Sequence, residues 1–405
     1  MKHWVRSAAL AAAMTAALAA PALAKTIKIG LIAPFSGGSA IYGENWKQAI
    51  DVFMKEHGDT VGGDKIEIVT RDIPGPDPLK VRALAQELVV KEGVQYLAGI
   101  VYSPNALALG AFANQAKVPI VIFNAATSAI LDKSPYFLRV SFTVPQISVP
   151  EAVYARDQGL KKMVTMVSDY APGWDGEKFF SDAFEKMGGQ VTAKIRIPLS
   201  TTDFLPYLNR AAATGAQSMF GFMPGGGPVY AFMTAYKNSG LQKQGLGYIG
   251  QADTEEENLP QYGDLALGMV TCFYYSASHR SPENEHFLAL MAKSYPKVIV
   301  NTNHVDAYDG MRVIYHMIEA TKGQKDADKA IASVMGMKWE SPRGPVQIDP
   351  KTRDLIQNVY IRVVKKDKNG KLYNDEILAY PAQPDYGRAG HPLPTQDTLK
   401  AVKLD

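Results

Sequence analysis

Twice in succession the chain runs through a short apolar stretch and then breaks into small polar residues. Val94-Gln95-Tyr96-Leu97-Ala98-Gly99-Ile100-Val101 gives way to Tyr102-Ser103-Pro104-Asn105, and Val118-Pro119-Ile120-Val121-Ile122-Phe123 gives way to Asn124-Ala125-Ala126-Thr127-Ser128. Continuous apolar runs of this length, without alternation, are the pattern of parallel strands buried on both faces. Segments with helical spacing follow each break, over 106–115 and 128–131. Strand, turn and helix in series point to a parallel sheet wound on both faces. The two turns also define a candidate site. Small polar residues between a strand end and a helix start leave backbone N–H groups and hydroxyls pointing outward. Two such turns side by side suit an anion such as a carboxylate, and ligands of open α/β sheets sit at the carboxyl ends of strands.

The first residues are expected to be an export leader. Lys2 and Arg6 precede an apolar stretch, 8–20, too short to span a bilayer, and Ala22-Leu23-Ala24 supplies small residues for cleavage after Ala24. The mature protein is therefore expected to be exported and soluble. Removing Lys2 and Arg6 takes the formal charge from +3 to +1. That leaves no basic field for nucleic acid or anionic lipid. About 380 residues exceed what one core usually serves, so two domains are expected. Cys272, the only cysteine, excludes a disulfide within the chain, and its apolar setting over 269–274 marks a buried, inert thiol.

Along the chain, strands are expected at 26–32 and 65–70, with a helix over 44–56 carrying Trp46, Ala49, Ile50 and Phe53 on one face. Asp77 reads as an N-cap and Pro78 as the first residue of a helix running to 92. With the two units above, this makes four strand–helix units. A strand over 137–140 is followed by 141–145 with no helix of its own, read as a crossover. The alternation restarts with a strand at 163–167, a loop over 168–176 and a helix over 177–187. Further strands at 191–197, 217–222, 247–250 and 269–274 alternate with helices over 204–214 and 229–239. Helices over 284–295, 305–321 and 326–335 follow, then a hairpin of 359–364 and 375–379, and a loosely packed polar tail over 383–405.

The familiar catalytic signatures are missing. Gly245-Leu246-Gly247-Tyr248-Ile249-Gly250 matches a dinucleotide loop by letter, but a helix precedes it and the strand overlaps it. The triple glycine 225–227 lacks the Lys-Ser/Thr of a phosphate loop, and reads instead as a turn that brings backbone close to a ligand. His57, His279, His286, His304, His316 and His391 have no metal-ligand spacing. No cofactor or metal is expected. Among the acidic residues 253 and 255–257, Glu255 to Glu257 suit a charged first helical turn, while Asp253 is the candidate for facing a ligand. The better signal is aromatic: Tyr42, Tyr102, Tyr170, Trp174 and Phe222 all fall after strands in two halves of similar plan, as walls around an apolar ligand body.

These features in order resemble the leucine/isoleucine/valine-binding proteins of ABC importers. The resemblance rests on the leader, Lys28-Ile29-Gly30-Leu31-Ile32-Ala33-Pro34-Phe35-Ser36-Gly37, Tyr42-Gly43, the Asp72…Asp77-Pro78 helix entry, Asn124-Ala125-Ala126-Thr127 and Ser168-Asp169-Tyr170. It implies a type I periplasmic-binding fold, two doubly wound α/β lobes joined by three crossovers near 141–145, 275–278 and 348–354, closing like a hinged clamp. The first lobe would comprise 25–142 and 277–350, the second 143–276 and 351–382. It further implies that Ser103, Ala125, Ala126 and Thr127 hold a ligand carboxylate, that Tyr42 lies in the first lobe's wall, and that the second-lobe aromatic is Tyr170 or Trp174. Asn105 belongs to the same small-residue turn as Ser103. The glutamate that meets an amino-acid ligand's ammonium has no clear counterpart, Asp253 being nearest. The resemblance implies a periplasmic, monomeric, non-enzymatic receptor for a small apolar carboxylate, either an aromatic acid or a branched-chain amino acid, with an inner-membrane ABC permease as partner. An exported hydrolase or oxidoreductase, or a ligand-sensing receptor subunit, are the alternatives.

Overall fold

Two sheets organise residues 25–225 and 227–404, which the computed structural model describes. The expected leader and its cleavage point lie outside them. The first sheet contains β1 (Thr26–Ala33), β2 (Thr60–Val61), β3 (Asp64–Asp72), β4 (Tyr96–Gly99), β5 (Ile120–Ile122) and β6 (Phe137–Arg139), in the order β2-β3-β1-β4-β5-β6. All neighbours except β2 and β3 run parallel. The helices between them bury their apolar stripes on the sheet. In Ala40–His57 these are Trp46, Ala49, Ile50 and Phe53, as expected from their spacing. Asp77 caps the helix Pro78–Val90 by accepting from the N–H groups of Leu79 (3.1 Å) and Lys80 (2.9 Å).

The second sheet holds β7 (Lys162–Ser168), β8 (Gln190–Ile197), β9 (Ser218–Phe222), β10 (Gly247–Gly250), β11 (Val270–Phe273), β12 (Lys338–Ser341), β13 (Gly344–Ile348), β14 (Leu355–Lys366), β15 (Leu372–Gln383) and β16 (Val402–Lys403). Its order is β12-β13-β14-β11-β10-β9-β7-β8, with β15 on β14 and β16 on β15. From β8 to β11 the pairs are parallel, and β14 then runs antiparallel to β11. The architecture is the expected α/β pair of lobes with mainly parallel sheets.

The chain crosses between lobes after β6 and again after β11. The helices Pro282–Ser294 and Thr302–Thr321 then pack on Ala40–His57 of the first lobe. A later crossing leads to β12. The hairpin β12–β13, which the sequence reading placed with the first lobe, straddles the two. β13 pairs with the start of β14, which has twelve residues and carries β11 further along. The hairpin's Ser341 and Arg343 nevertheless bond Asp309 and Asp306 on the first-lobe helix, at 2.6 to 3.0 Å.

Three expectations need correcting. A helix, Val144–Asp157, follows the first crossover directly. It starts at Thr143, which accepts from the Gln146 N–H, and twelve of its residues are buried on all sides. The helix expected at 177 begins at Ala171, with Pro172 in its first turn. The tail is not loose. Asp385 accepts from the Ser128 hydroxyl (2.7 Å), Arg388 pairs with Asp132 (2.8 Å), Gln396 donates to Asp157 (2.8 Å), and β16 joins the second sheet. Cys272 is buried with its thiol toward the Ile147 carbonyl (3.6 Å), and burial pushes its pKa up.

Candidate functional site

The site begins where β4 stops. Gly99 has φ 102°, and a Cβ there would lie 2.5 Å from the Ile32 carbonyl. Ile100 follows at φ 66°, a conformation a β-branched residue adopts only under constraint. Two backbone bonds impose it: the Ile100 N–H donates to Ile32 O (3.0 Å) and its carbonyl accepts from the Ala125 N–H (3.1 Å). The kink ties the two turns together and carries Val101, Tyr102 and Ser103 into the gap between the lobes. There the Ser103 Oγ accepts from the Thr127 N–H (3.3 Å).

The second turn is held from behind by Arg139, which no sequence feature had singled out. Its guanidinium donates to the carbonyls of Ala125 (2.9 Å) and Thr127 (3.0 Å) and pairs with Asp354 (2.9 Å), both side chains being almost wholly buried. Arg139 thereby fixes the peptides 125–126 and 127–128, and the N–H of the second reaches Asp175 across the gap. The same residue therefore orients the turn and bridges to the segment between β13 and β14.

A narrow cavity lies between the lobes. Tyr42, Tyr102, Ser103, Asn124 and Ala126 line it from the first lobe; Tyr170, Phe222, Met223, Pro224 and Gly225 line it from the second. Its remaining wall includes Phe142 and Phe273, beside the first two crossings, with ring centroids 5.0 Å apart. Tyr170 and Phe222 lie nearly parallel, 6.2 Å apart, and the Tyr102 hydroxyl is fixed by Ser39 at 2.6 Å. The result is a slot with aromatic faces from both lobes, a lining suited to a flat apolar body.

Polar groups also come from the segment 252–257 and from the start of the helix Thr302–Thr321. Glu255 and Glu257 both line the cavity. Glu255 is committed to the protein: Oε1 pairs with Arg362 (3.1 Å) and Oε2 accepts from the N–H and hydroxyl of Thr302. Glu257 has one side-chain donor, the Asn301 amide. Burial first, then the neighbouring Glu255, raises the pKa of Glu257. Glu256 points away and accepts from the Ala277 N–H and Asn374.

Of the residues expected at the site, the structure brings Tyr42, Tyr102, Ser103, Ala126, Tyr170 and Phe222 into one cavity wall. The other five lie outside it. Asn105 is buried and holds the loop before Pro78, accepting from the Asp77 N–H and donating to Gly75 O. Ala125 is turned inward, its carbonyl on Arg139. Thr127 gives its hydroxyl to Asp175 of the second lobe, which also accepts from the Ser128 N–H (3.1 Å). Trp174 is 47% exposed because the early start of its helix turns it outward. Its indole N–H donates to Asp169 (2.7 Å) and Arg196 covers its ring. Asp253 is buried against its own segment, accepting from the Gln251 N–H (2.7 Å) beside Tyr248. The acidic segment is thus inverted relative to expectation, because a short 3-10 turn, Ala252–Thr254, replaces the expected helical turn. Asn303, Glu255 and Glu257 had no signal beyond a polar cluster near a glycine-rich strand. Among the described residues, no group of three or more metal-binding side chains comes together, and no helix is long and apolar enough to cross a membrane.

Comparison with known proteins agrees with this geometry. A family profile described as periplasmic binding protein matches residues 26–371. The chain is 49% identical over 371 residues to Leu/Ile/Val-binding protein homolog 6 of Brucella abortus (strain 2308), covering 91% of this chain and 95% of the relative. A solute binding protein of an ABC transporter from Rhodopseudomonas palustris HaA2, solved in complex with p-hydroxybenzoic acid, superposes with TM-score 0.88. The two are 49% identical, covering 90% of this chain and all of that one. A second, from Rhodopseudomonas palustris BisB5 in complex with 3,4-dihydroxy benzoic acid, gives TM-score 0.85 at 42% identity, covering 89% and 99% of the two chains. With an interlobe cavity at the strand ends and these relatives over nearly its whole length, the chain belongs to the periplasmic binding protein family, as a solute-binding protein of the ABC-transporter type.

Proposed function

We propose that this protein captures a small aromatic carboxylate of the benzoate class between its lobes and delivers it to an ABC permease. The observation that carries this is the slot itself. Tyr42, Tyr102, Tyr170, Phe222, Phe142 and Phe273 surround a space with Ser103 and Ala126 in its wall. Ser103 and the backbone N–H of Ala126 meet the carboxylate, and the rings enclose the aromatic body. Arg139 holds the turn that presents the N–H. The two relatives solved with hydroxylated benzoic acids, at 49% and 42% identity, support the same ligand class.

Glu255 and Glu257 in the cavity wall favour a second reading, a hydrophobic amino acid whose ammonium meets a carboxylate. Against it, Glu255 already has Arg362 and Thr302 as partners. Thermal unfolding of the purified protein with benzoate, 4-hydroxybenzoate, leucine and phenylalanine separates the two. A ligand at about a hundredfold excess over its Kd stabilises by ~2.7 kcal/mol. The aromatic acids are expected to raise Tm and leucine to leave it unchanged; a shift with leucine alone would overturn the assignment.

A further inference from the structure

We infer that Tyr42, Glu257 and Asn303 form a subsite for a neutral hydroxyl on the ligand's ring, and that Glu257 sets the preference for hydroxylated over plain aromatic acids. The inference rests on the aromatic-acid reading above and adds which residues read the substituent. Three side chains with unused hydrogen-bonding capacity meet in this wall. Tyr42's hydroxyl makes no hydrogen bond among the described residues, although Glu257, Glu255 and Tyr102 are close enough to act on its charge. Asn303 is 5% exposed, its backbone N–H bonds Asn301, and its side-chain amide has no partner among the described residues. Glu257 keeps acceptor capacity beyond its bonds to the Asn301 amide and to its own backbone N–H.

Tyr42 and Glu257 are half-buried and Asn303 is buried, and polar groups that face a ligand cavity in this way are completed by the ligand that displaces water from it. Its chemistry identifies the missing partner. A hydroxyl donates one hydrogen bond and accepts others, which Glu257 as acceptor and the Tyr42 hydroxyl or Asn303 amide as donors supply together. An ammonium could donate to the same three groups, since the Tyr42 hydroxyl and the Asn303 amide also accept, so it is the aromatic-acid reading that selects the hydroxyl. An unsubstituted ring would leave all three unfilled, and a site built to bond a hydroxyl rejects the analogue lacking it. Glu255 cannot take this role, since Arg362 and Thr302 occupy its oxygens.

The test is calorimetric titration of the purified protein and two variants, Glu257→Gln and Tyr42→Phe, with 4-hydroxybenzoate and benzoate. The wild type is expected to prefer 4-hydroxybenzoate by about ten- to a hundredfold, the worth of one hydrogen bond to a charged group. Glu257→Gln should lose most of that preference, read as the ratio of the two affinities, and Tyr42→Phe should lose a smaller part. Benzoate binding in each variant also reports that the cavity is intact. Equal affinity of the wild type for the two acids would overturn the subsite and leave the aromatic-acid assignment standing. Equal loss of both acids in Glu257→Gln would show that the residue only holds Asn301 in place, and would overturn it too. Binding of neither acid by the wild type would overturn the assignment and the subsite together.

Discussion

Thr127 of the first lobe donates its hydroxyl hydrogen bond to Asp175 of the second, and the Ser128 N–H donates to the same carboxylate. The contact crosses the gap between the lobes, so it exists in the closed arrangement and lapses as they part. Thr127→Val and Asp175→Asn should therefore both weaken ligand binding, by ~1–3 kcal/mol, through the closed state they no longer support. The double variant should lose little more than either single one, since they remove one interaction. Titration calorimetry of the four proteins decides: if Thr127→Val weakens binding and Asp175→Asn does not, Thr127 touches the ligand instead.

Arg139 and Asp354 are a buried pair, and Arg139 also holds two carbonyls of the turn 125–127. Replacing Arg139 by Met leaves a carboxylate buried alone, at a cost of about 3–5 kcal/mol in unfolding free energy. Adding Asp354→Asn should recover part of that loss. Urea unfolding midpoints that are unchanged in Arg139→Met would refute the pairing.

Burial pushes the Asp253 carboxyl up to about 6 from 3.8. A pKa raised on folding means that the folded chain binds the proton more tightly. The stabilisation is complete below pH 3.8 and is lost as pH rises through about 6. A rise of this size corresponds to at most ~3 kcal/mol. Asp253→Asn should therefore gain stability relative to the wild type between these pH values and keep a constant advantage above them. Parallel stability–pH curves for the two proteins would contradict it.

Gly225 sits where the second lobe meets the Tyr42 side chain, and a Cβ at that position would lie 2.4 Å from the Tyr42 hydroxyl oxygen. Gly225→Val should oppose closure by ~1–3 kcal/mol, the usual penalty of overpacking. In small-angle scattering the saturated variant should remain more extended than the saturated wild type. Identical scattering profiles would show that Tyr42 simply moves aside.

Where the sequence pattern had a local physical cause, it was legible. Asp77-Pro78 announced a helix start because capping needs only neighbouring atoms, and the apolar runs before Tyr102 and Asn124 announced buried strands. Val144–Asp157 was missed because a helix buried all round has no polar face to set a period, and Pro150 inside it reads as a break. Trp174 was misplaced for a related reason. Pro172 and Gly173 resemble a loop, yet proline is at home in a helix's first turn, and starting the helix at Ala171 rotates Trp174 outward. The exchange of Asp253 for Glu255 and Glu257, and the role of Arg139, depend on partners far along the chain, such as Arg362 and Asp354. No window of neighbouring residues contains them.

The last residues carry a consequence for how far the molecule can gape. From Asp385 to Arg388 they grip the first lobe at Ser128 and Asp132; from Gln396 to Lys403 they are fastened to Asp157 and β15 in the second. A strap sewn to both halves sets an upper limit on their separation, because swinging wider must stretch the few residues between or tear out a stitch. Ser128 is such a stitch, and its neighbour Thr127 holds Asp175. The contact across the gap and the fastening of the strap are thereby tied to the same short turn.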